Sequence, residues 1–146
     1  MELTLFVIAY FLLLISLFNY YTIRIPKNSA PVQASVMLLL PVRNEEENIT
    51  ECIAALKSQS GVVNLKFIVI NEQSTDKTSE LLTSAISNDS RFTVLNTDGP
   101  RTGWLGKVSA LQSGYEAATA EFLVTLDADV RLRPDALCRA INQISE

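Results

Sequence analysis

The 146-residue sequence contains no histidine. Triads and dyads built on imidazole are therefore excluded, and so are zinc sites that need a histidine ligand. Cysteine is scarce. Cys52 and Cys138 stand far apart and form no Cys-x-x-Cys pair, so they read as buried thiols in a reducing compartment. There are five glycines. None falls in "LPVRNEEEN" (40–48), where a nucleotidyltransferase-like enzyme would want a glycine-rich phosphate loop. "GWLGK" (103–107) lacks the full Walker A pattern. Basic residues number 12 against 16 acidic, a net charge of −4 with no basic run, which argues against nucleic acid as a partner.

Apolar residues make up 48% of the chain. Many lie in one uncharged run, Leu3 to Ile23, "LTLFVIAYFLLLISLFNYYTI". At ~1.5 Å per residue it spans roughly 30 Å, the thickness of a bilayer core. Tyr20 and Tyr21 sit where an interfacial aromatic belt belongs, and Arg24 and Lys27 follow at once. The positive-inside rule puts the N-terminus outside and the rest in the cytoplasm, a single-pass protein of the cell membrane. The rival reading is a cleaved signal peptide, with "VQA" (32–34) as a cleavage-like site. The missing basic n-region and the long apolar run favour the anchor. The predicted organisation is an anchor over 1–25, a linker over 26–34 ("PKNSAPVQA") and a domain over 35–146.

That domain alternates. Ser35 to Leu40 is a continuous apolar run, as in a strand buried on both faces. Asn44 to Ser58 reads as a helix, with Asn44 as N-cap, Glu47 completing a capping box, and Ile49, Cys52, Ile53 and Leu56 on one face. Glu45 to Glu47 then reads as a solvated helix start. Leu65 to Ile70 is a second strand, followed by a polar loop and a helix from about Asp76, its expected N-cap. Phe92 to Leu95 is a third strand. A long loop leads to a helix from about Lys107 to Ala118. Glu121 to Leu126 is a fourth strand, and Pro134 suits the first turn of a last helix. Such an order predicts an α/β fold with a parallel sheet and helices on both faces. Ligands in that architecture bind beyond the carboxyl ends of the strands. The unusual polar clusters fall there: "PVRNEEEN", "NEQSTD", "TDGPRTGWLGK" and "DADVR".

These clusters, in the contexts "SVMLLLPVRNEEENI", "FIVINEQSTDKTSELL", "GWLGKVSALQSGYEAA" and "FLVTLDADVRLRPDAL", resemble successive motifs of the family 2 glycosyltransferases. The resemblance runs from about Ser35 to the C-terminus. With the apolar N-terminus, it is most similar to the members that glycosylate lipids, such as hopanoid and carotenoid glycosyltransferases. It implies the parallel-sheet, nucleotide-binding half of a GT-A fold, a nucleotide-sugar donor (a UDP-sugar first) and a lipid among the candidate acceptors.

By this resemblance Asp127 and Asp129 fit an Asp-x-Asp motif. Asp129 is then the expected ligand of Mg²⁺ or Mn²⁺, and Asp127 serves metal and sugar or ribose. Hard divalent cations take oxygen ligands, often one or two carboxylates plus phosphates. A lone "DAD" could equally cap a turn or helix. Glu72 stands where the family's acid accepts hydrogen bonds from the base. Gln73 replaces a glycine there, so the loop must avoid positive φ or carry strain. Pro41, Val42, Arg43 and Asn44 are expected beside the nucleotide. Lys107, a cation at a helix start, opposes the helix dipole unless a diphosphate arrives. Arg101 is a weaker donor contact, and Trp104 either packs or meets acceptor or membrane. The family's general base lies well beyond the Asp-x-Asp motif, and no acid after Asp129 matches it. Little transfer by this chain alone is therefore expected, with strand four an open edge. Two alternatives stay beside the enzyme reading: an inactive fragment, and a nucleotide-binding subunit completed by a separate chain.

Overall fold

A computed structural model describes residues 2–22 and 26–145. Met1, Ile23 at the end of the predicted span, Arg24 of the expected positive flank, Ile25 at the predicted anchor boundary and Glu146 lie outside the described residues. The elements are α1 (Glu2–Thr22), β1 (Val32–Val42), α2 (Ile49–Lys57), β2 (Val62–Glu72), α3 (Thr78–Ile86), β3 (Phe92–Thr97), α4 (Gly106–Ala117), β4 (Phe122–Thr125) and α5 (Ala136–Ser145). The predicted alternation is present in full. All neighbouring strands pair in parallel, in the order β3-β2-β1-β4.

The central strands are apolar because both faces are covered. Val36, Leu38, Leu40 and Val42 of β1 and Phe67 and Val69 of β2 pack in one cluster with Ile49, Cys52, Ile53 and Leu56 of α2, Leu82 and Ile86 of α3 and Leu137, Cys138 and Ile141 of α5. The alternate residues Met37, Leu39, Ile68 and Ile70 face the other way, onto Ala110 of α4. Alternation at period two thus divides a continuous apolar run between two cores. On the second face α4 lies close: a Cβ added at Gly114 would stand 2.9 Å from Ile70 Cδ1. β4 is short and pairs with β1 alone, Val36↔Phe122 to Leu39↔Thr125, so it forms a sheet edge among the described residues.

Several boundaries differ from the sequence reading. β1 begins at Val32, so the last three residues of the predicted linker, Val32, Gln33 and Ala34, belong to the sheet. The stretch before them is docked: Ala30 O accepts from Asn142 Nδ2 (2.8 Å) and from the Cys138 thiol (3.0 Å) on α5. Pairing and side-chain anchoring outweigh the loop-like composition of 26–34. α2 starts at Ile49 rather than Asn44, and Asn48 takes the N-cap position without a side-chain cap bond. Asn44 instead has φ +55°, a left-handed conformation that asparagine tolerates better than most residues. Leu3–Thr22 has a mean hydropathy of 2.1, is not buried, and is long and apolar enough to cross a membrane.

Candidate functional site

The chain passes β1, β2, β3 in one direction across the sheet, then returns to place β4 on the other side of β1. The strand order thus reverses at β1, and the crevice beyond the carboxyl ends of the strands at such a reversal is where open parallel sheets hold ligands. A cleft of about 460 Å³ lies there. Of the predicted site residues, Pro41, Val42, Arg43, Glu72, Lys107, Asp127 and Asp129 all line it; Asn44 does not. Sequence reasoning missed Glu45, Asn48, Gly106, Ala110 and Ala128, which line it too.

Asn44 acts behind the cleft. Its N–H donates to Ser74 Oγ (3.1 Å), and its Oδ1 accepts from Thr75 N (2.8 Å). Glu45 N donates to the buried Thr78 hydroxyl (2.8 Å), and Glu46 N donates to Asp76 Oδ2 (3.2 Å). In return, Glu46 Oε2 accepts from Lys77 N (3.1 Å). Glu45 and Glu46 thus stitch the loop after β1 to the one after β2, ahead of the helix rather than in its first turn, while Glu46 and Glu47 are solvent-exposed as expected. Asp76 does the expected capping work from one residue earlier, since Lys77 is the N-cap: its Oδ1 accepts from Thr78 N (2.9 Å) and from the Thr78 hydroxyl. Desolvation pushes the Asp76 carboxyl upward, but the donors from Thr78 and Glu46 prevail and hold it below its ordinary value.

Glu72 ends β2, is 4% exposed, and its Oε1 is buried without a hydrogen-bond partner. Such an oxygen costs on the order of 1–3 kcal/mol or more unless something donates to it. Gly106 is the neighbour that leaves room, because a Cβ there would stand 2.5 Å from Glu72 Oε2. Gln73 takes the strained option, with φ +50°, and its amide donates to Asp98 O (2.6 Å). That bond ties the second loop to the third.

β4 delivers the two aspartates. Ala128 is buried in the main core, while Asp127 and Asp129 on either side of it are exposed to the cleft. One buried methyl between two acids therefore decides which way the carboxylates face. Lys107 sits in the first turn of α4, whose N-cap Leu105 offers no side-chain cap bond. Its Nζ meets Asp127 Oδ1 at 2.6 Å, with side chains 58% and 54% exposed. A pair that open to water is worth at most about 1 kcal/mol, so it is readily exchanged for a ligand. Beyond it lies a smaller cavity of about 300 Å³, sharing Pro41, Lys107 and Asp127.

Arg101 turns away from the cleft. It forms a forked pair with Glu116 (3.0 and 2.5 Å) and lies over the Trp104 ring, 5.9 Å from its centroid. The guanidinium, joined by Gln112, lowers the Glu116 carboxyl to about 2. Burial pushes the Cys52 thiol up to about 11, so it stays protonated and unreactive at neutral pH.

No group of three or more acidic, histidine or cysteine side chains gathers to hold a metal among the described residues. The all-oxygen pair Asp127 and Asp129 still fits a hard cation that draws its remaining ligands from phosphates and water.

Comparison with known proteins agrees with this geometry. Residues 37–146 match the profile of Glycosyl transferase family 2. The chain is 29% identical over 119 residues to the 4,4'-diaponeurosporenoate glycosyltransferase of Staphylococcus haemolyticus, covering 80% of this chain and 30% of that one. It is 27% identical over 117 residues to the undecaprenyl-phosphate 4-deoxy-4-formamido-L-arabinose transferase of Pectobacterium atrosepticum, covering 77% and 34%. Among solved structures, the mannosyltransferase PcManGT of Pyrobaculum calidifontis, in complex with GDP-Man and Mn²⁺, superposes with a TM-score of 0.74 at 25% identity, covering 92% of this chain and 40% of that one. The TarS 1-349 fragment of S. aureus, in complex with UDP, has a TM-score of 0.63 at 22% identity, covering 76% and 32%, and shares the fold. The chain thus spans about a third of the length of these curated relatives. The switch-point cleft, the parallel α/β sheet and the match over 37–146 together place the chain in glycosyltransferase family 2, with a GT-A fold.

Proposed function

We propose that this chain forms the donor-binding side of a membrane-anchored glycosyltransferase that uses a nucleotide-sugar, a UDP-sugar first, and a lipid acceptor. The observation that carries this reading is the cleft itself. It brings a buried carboxylate with an unpartnered oxygen, a cation on a helix start and the two acids Asp127 and Asp129 into one space of diphosphate-nucleotide scale. Glu72 accepts a base N–H. Lys107 and the free N–H groups at the start of α4 take the diphosphate. Asp129, with Asp127, holds Mg²⁺ or Mn²⁺, which would offset the negative charge of the leaving diphosphate. Asp127 exchanges its bond to Lys107 for sugar, ribose or metal. Backbone groups of 41–43 line the nucleotide.

The same reading has α1 as a single-pass anchor with the domain in the cytoplasm; described Lys27 lies on the domain side. The two curated relatives named above are a carotenoid-type and an undecaprenyl-phosphate transferase, which supports a lipid acceptor.

A carboxylate at Glu72 accepts the ring N–H of uracil or guanine but faces a lone pair on cytosine or adenine. Titration calorimetry on the full chain in detergent, with UDP, GDP, CDP and ADP, tests the site. The expected result is UDP or GDP bound at least about ten-fold more tightly than CDP and ADP. Glu72→Gln should narrow that ratio, since an amide also donates. Equal binding of all four, unchanged by Glu72→Gln, would remove Glu72 from the site.

A further inference from the structure

The turn that carries Asp127 and Asp129 leaves the sheet early. Leu126 N donates to Leu39 O (3.1 Å), the turn closes through Val130 N to Asp127 O (3.1 Å), and Val130 is exposed. Neither bond orients the 128–129 peptide, which sets the direction of Asp129 relative to Asp127. Arg131 does. Its Nη1 donates to Ala128 O (2.7 Å) and Val130 O (3.2 Å). Its Nη2 donates to Asn48 O (3.0 Å) and Asn48 Oδ1 (3.2 Å), just ahead of α2. Nε reaches Glu51 Oε2 at 3.3 Å, on a side chain 79% exposed, so that contact adds little. The connection continues inward. Asn48 Nδ2 donates to Glu45 Oε2 (2.9 Å), and Glu45 N donates to Thr78 Oγ1 (2.8 Å) at the buried start of α3.

We infer that Arg131 is a positioning residue for the Asp127–Asp129 pair: its guanidinium clamps the peptide that joins them onto the loop after β1, fixing the two carboxylates for a divalent cation. The inference rests on the reading of that pair as the cation's ligands. Arg131 does not itself line the cleft. The geometry asks for arginine because one planar fork serves the turn and Asn48 at once, whereas a lysine ammonium is a point donor that cannot span both. The path also joins the strand-four turn to the loops after β1 and β2, so the cleft's acidic corner is set by the same network as its opposite wall.

The test separates metal from nucleotide. Full-length chain in detergent is held with UDP or GDP, whichever binds better, and free Mn²⁺ is followed by electron paramagnetic resonance during titration. Nucleotide affinity is measured in parallel with EDTA. Arg131→Lys and Arg131→Gln should raise the apparent Mn²⁺ dissociation constant about 10–100-fold, the usual effect of removing a partner that orients metal ligands, with metal-free nucleotide affinity changed by no more than about two-fold. Arg131→Lys keeps charge and stem, and so decides the matter if Arg131→Gln does not fold. Mn²⁺ binding within about two-fold of wild type in Arg131→Lys overturns the positioning role and leaves the metal reading standing. An equal loss of metal-free nucleotide affinity overturns it too, because that marks general loosening. Wild-type chain that binds nucleotide but no nucleotide-dependent Mn²⁺ overturns the metal reading, and the positioning role falls with it.

Discussion

Where the loops after β1 and β2 meet, Asn44, Ser74, Asp76 and Thr78 exchange hydrogen bonds with backbone amides across some thirty residues of sequence. Where α4 meets β4, on the other side of the same cleft, an exposed ion pair between Lys107 and Asp127 spans the gap. The first side is prebuilt: behind the cleft its loop groups satisfy one another, leaving Glu72 Oε1 as the open acceptor, and two non-glycine residues, Asn44 and Gln73, hold left-handed backbone there. The second is closed by a contact that water already competes for. A rigid wall suits the reading of a base, which needs fixed donors and acceptors. An exchangeable one suits the arrival of a charged diphosphate and its cation, which must displace something.

This contrast can be broken most severely at Asn44. Asn44→Ala removes the side-chain oxygen that accepts from Thr75 N across the two loops and leaves alanine in a left-handed conformation, so it should destabilise the domain by about 2–3 kcal/mol. Asn44→Gly, which relieves φ, should cost less. Thermal unfolding of both variants in detergent gives the order. Next comes the seam between the walls. Gly106→Ala pushes a methyl onto Glu72 Oε2, and nucleotide affinity measured by calorimetry should fall about ten-fold, or ~1.4 kcal/mol. On the exchangeable side, Lys107→Gln should change unfolding stability by less than about 1 kcal/mol yet weaken nucleotide binding about five-fold, because the lysine's value lies in the ligand. The smallest effect is expected at Glu116. Its carboxyl is lowered from 4.5 to about 2 by Arg101, so the pair's contribution is present above about pH 4.5 and lost as pH falls toward about 2. Glu116→Gln should flatten the melting temperature against pH in that window, leaving it close to wild type near pH 2 and slightly below wild type above about pH 5.

Much of this was legible in the residues. Continuous apolar strands between amphipathic helices fix a parallel sheet, and polar clusters at every strand end place the cleft. The residues that lay outside that logic failed for identifiable reasons. Asn44 satisfies two rules at once, N-cap and left-handed turn, and the partners that decide between them, Ser74 and Thr75, are distant in sequence. Residues 32–34 look like linker because their composition is mixed, yet pairing with β2 and docking of Ala30 on α5 draw them into the fold. Arg101 reads as a donor contact from its place in a polar loop. Its fork is taken by Glu116, a partner one helix away. Arg131 carries no local signal beyond its charge, since its role depends on where α2 begins.

The central claim is that Asp127 and Asp129 make this cleft a metal–diphosphate site. The most direct measurement is the affinity of the full chain for UDP or GDP with Mn²⁺ and with EDTA, in wild type and in Asp129→Ala. The account predicts that Mn²⁺ tightens wild-type binding at least about ten-fold, and that Asp129→Ala abolishes this gain while binding in EDTA persists. Equal wild-type affinity with and without metal would contradict it.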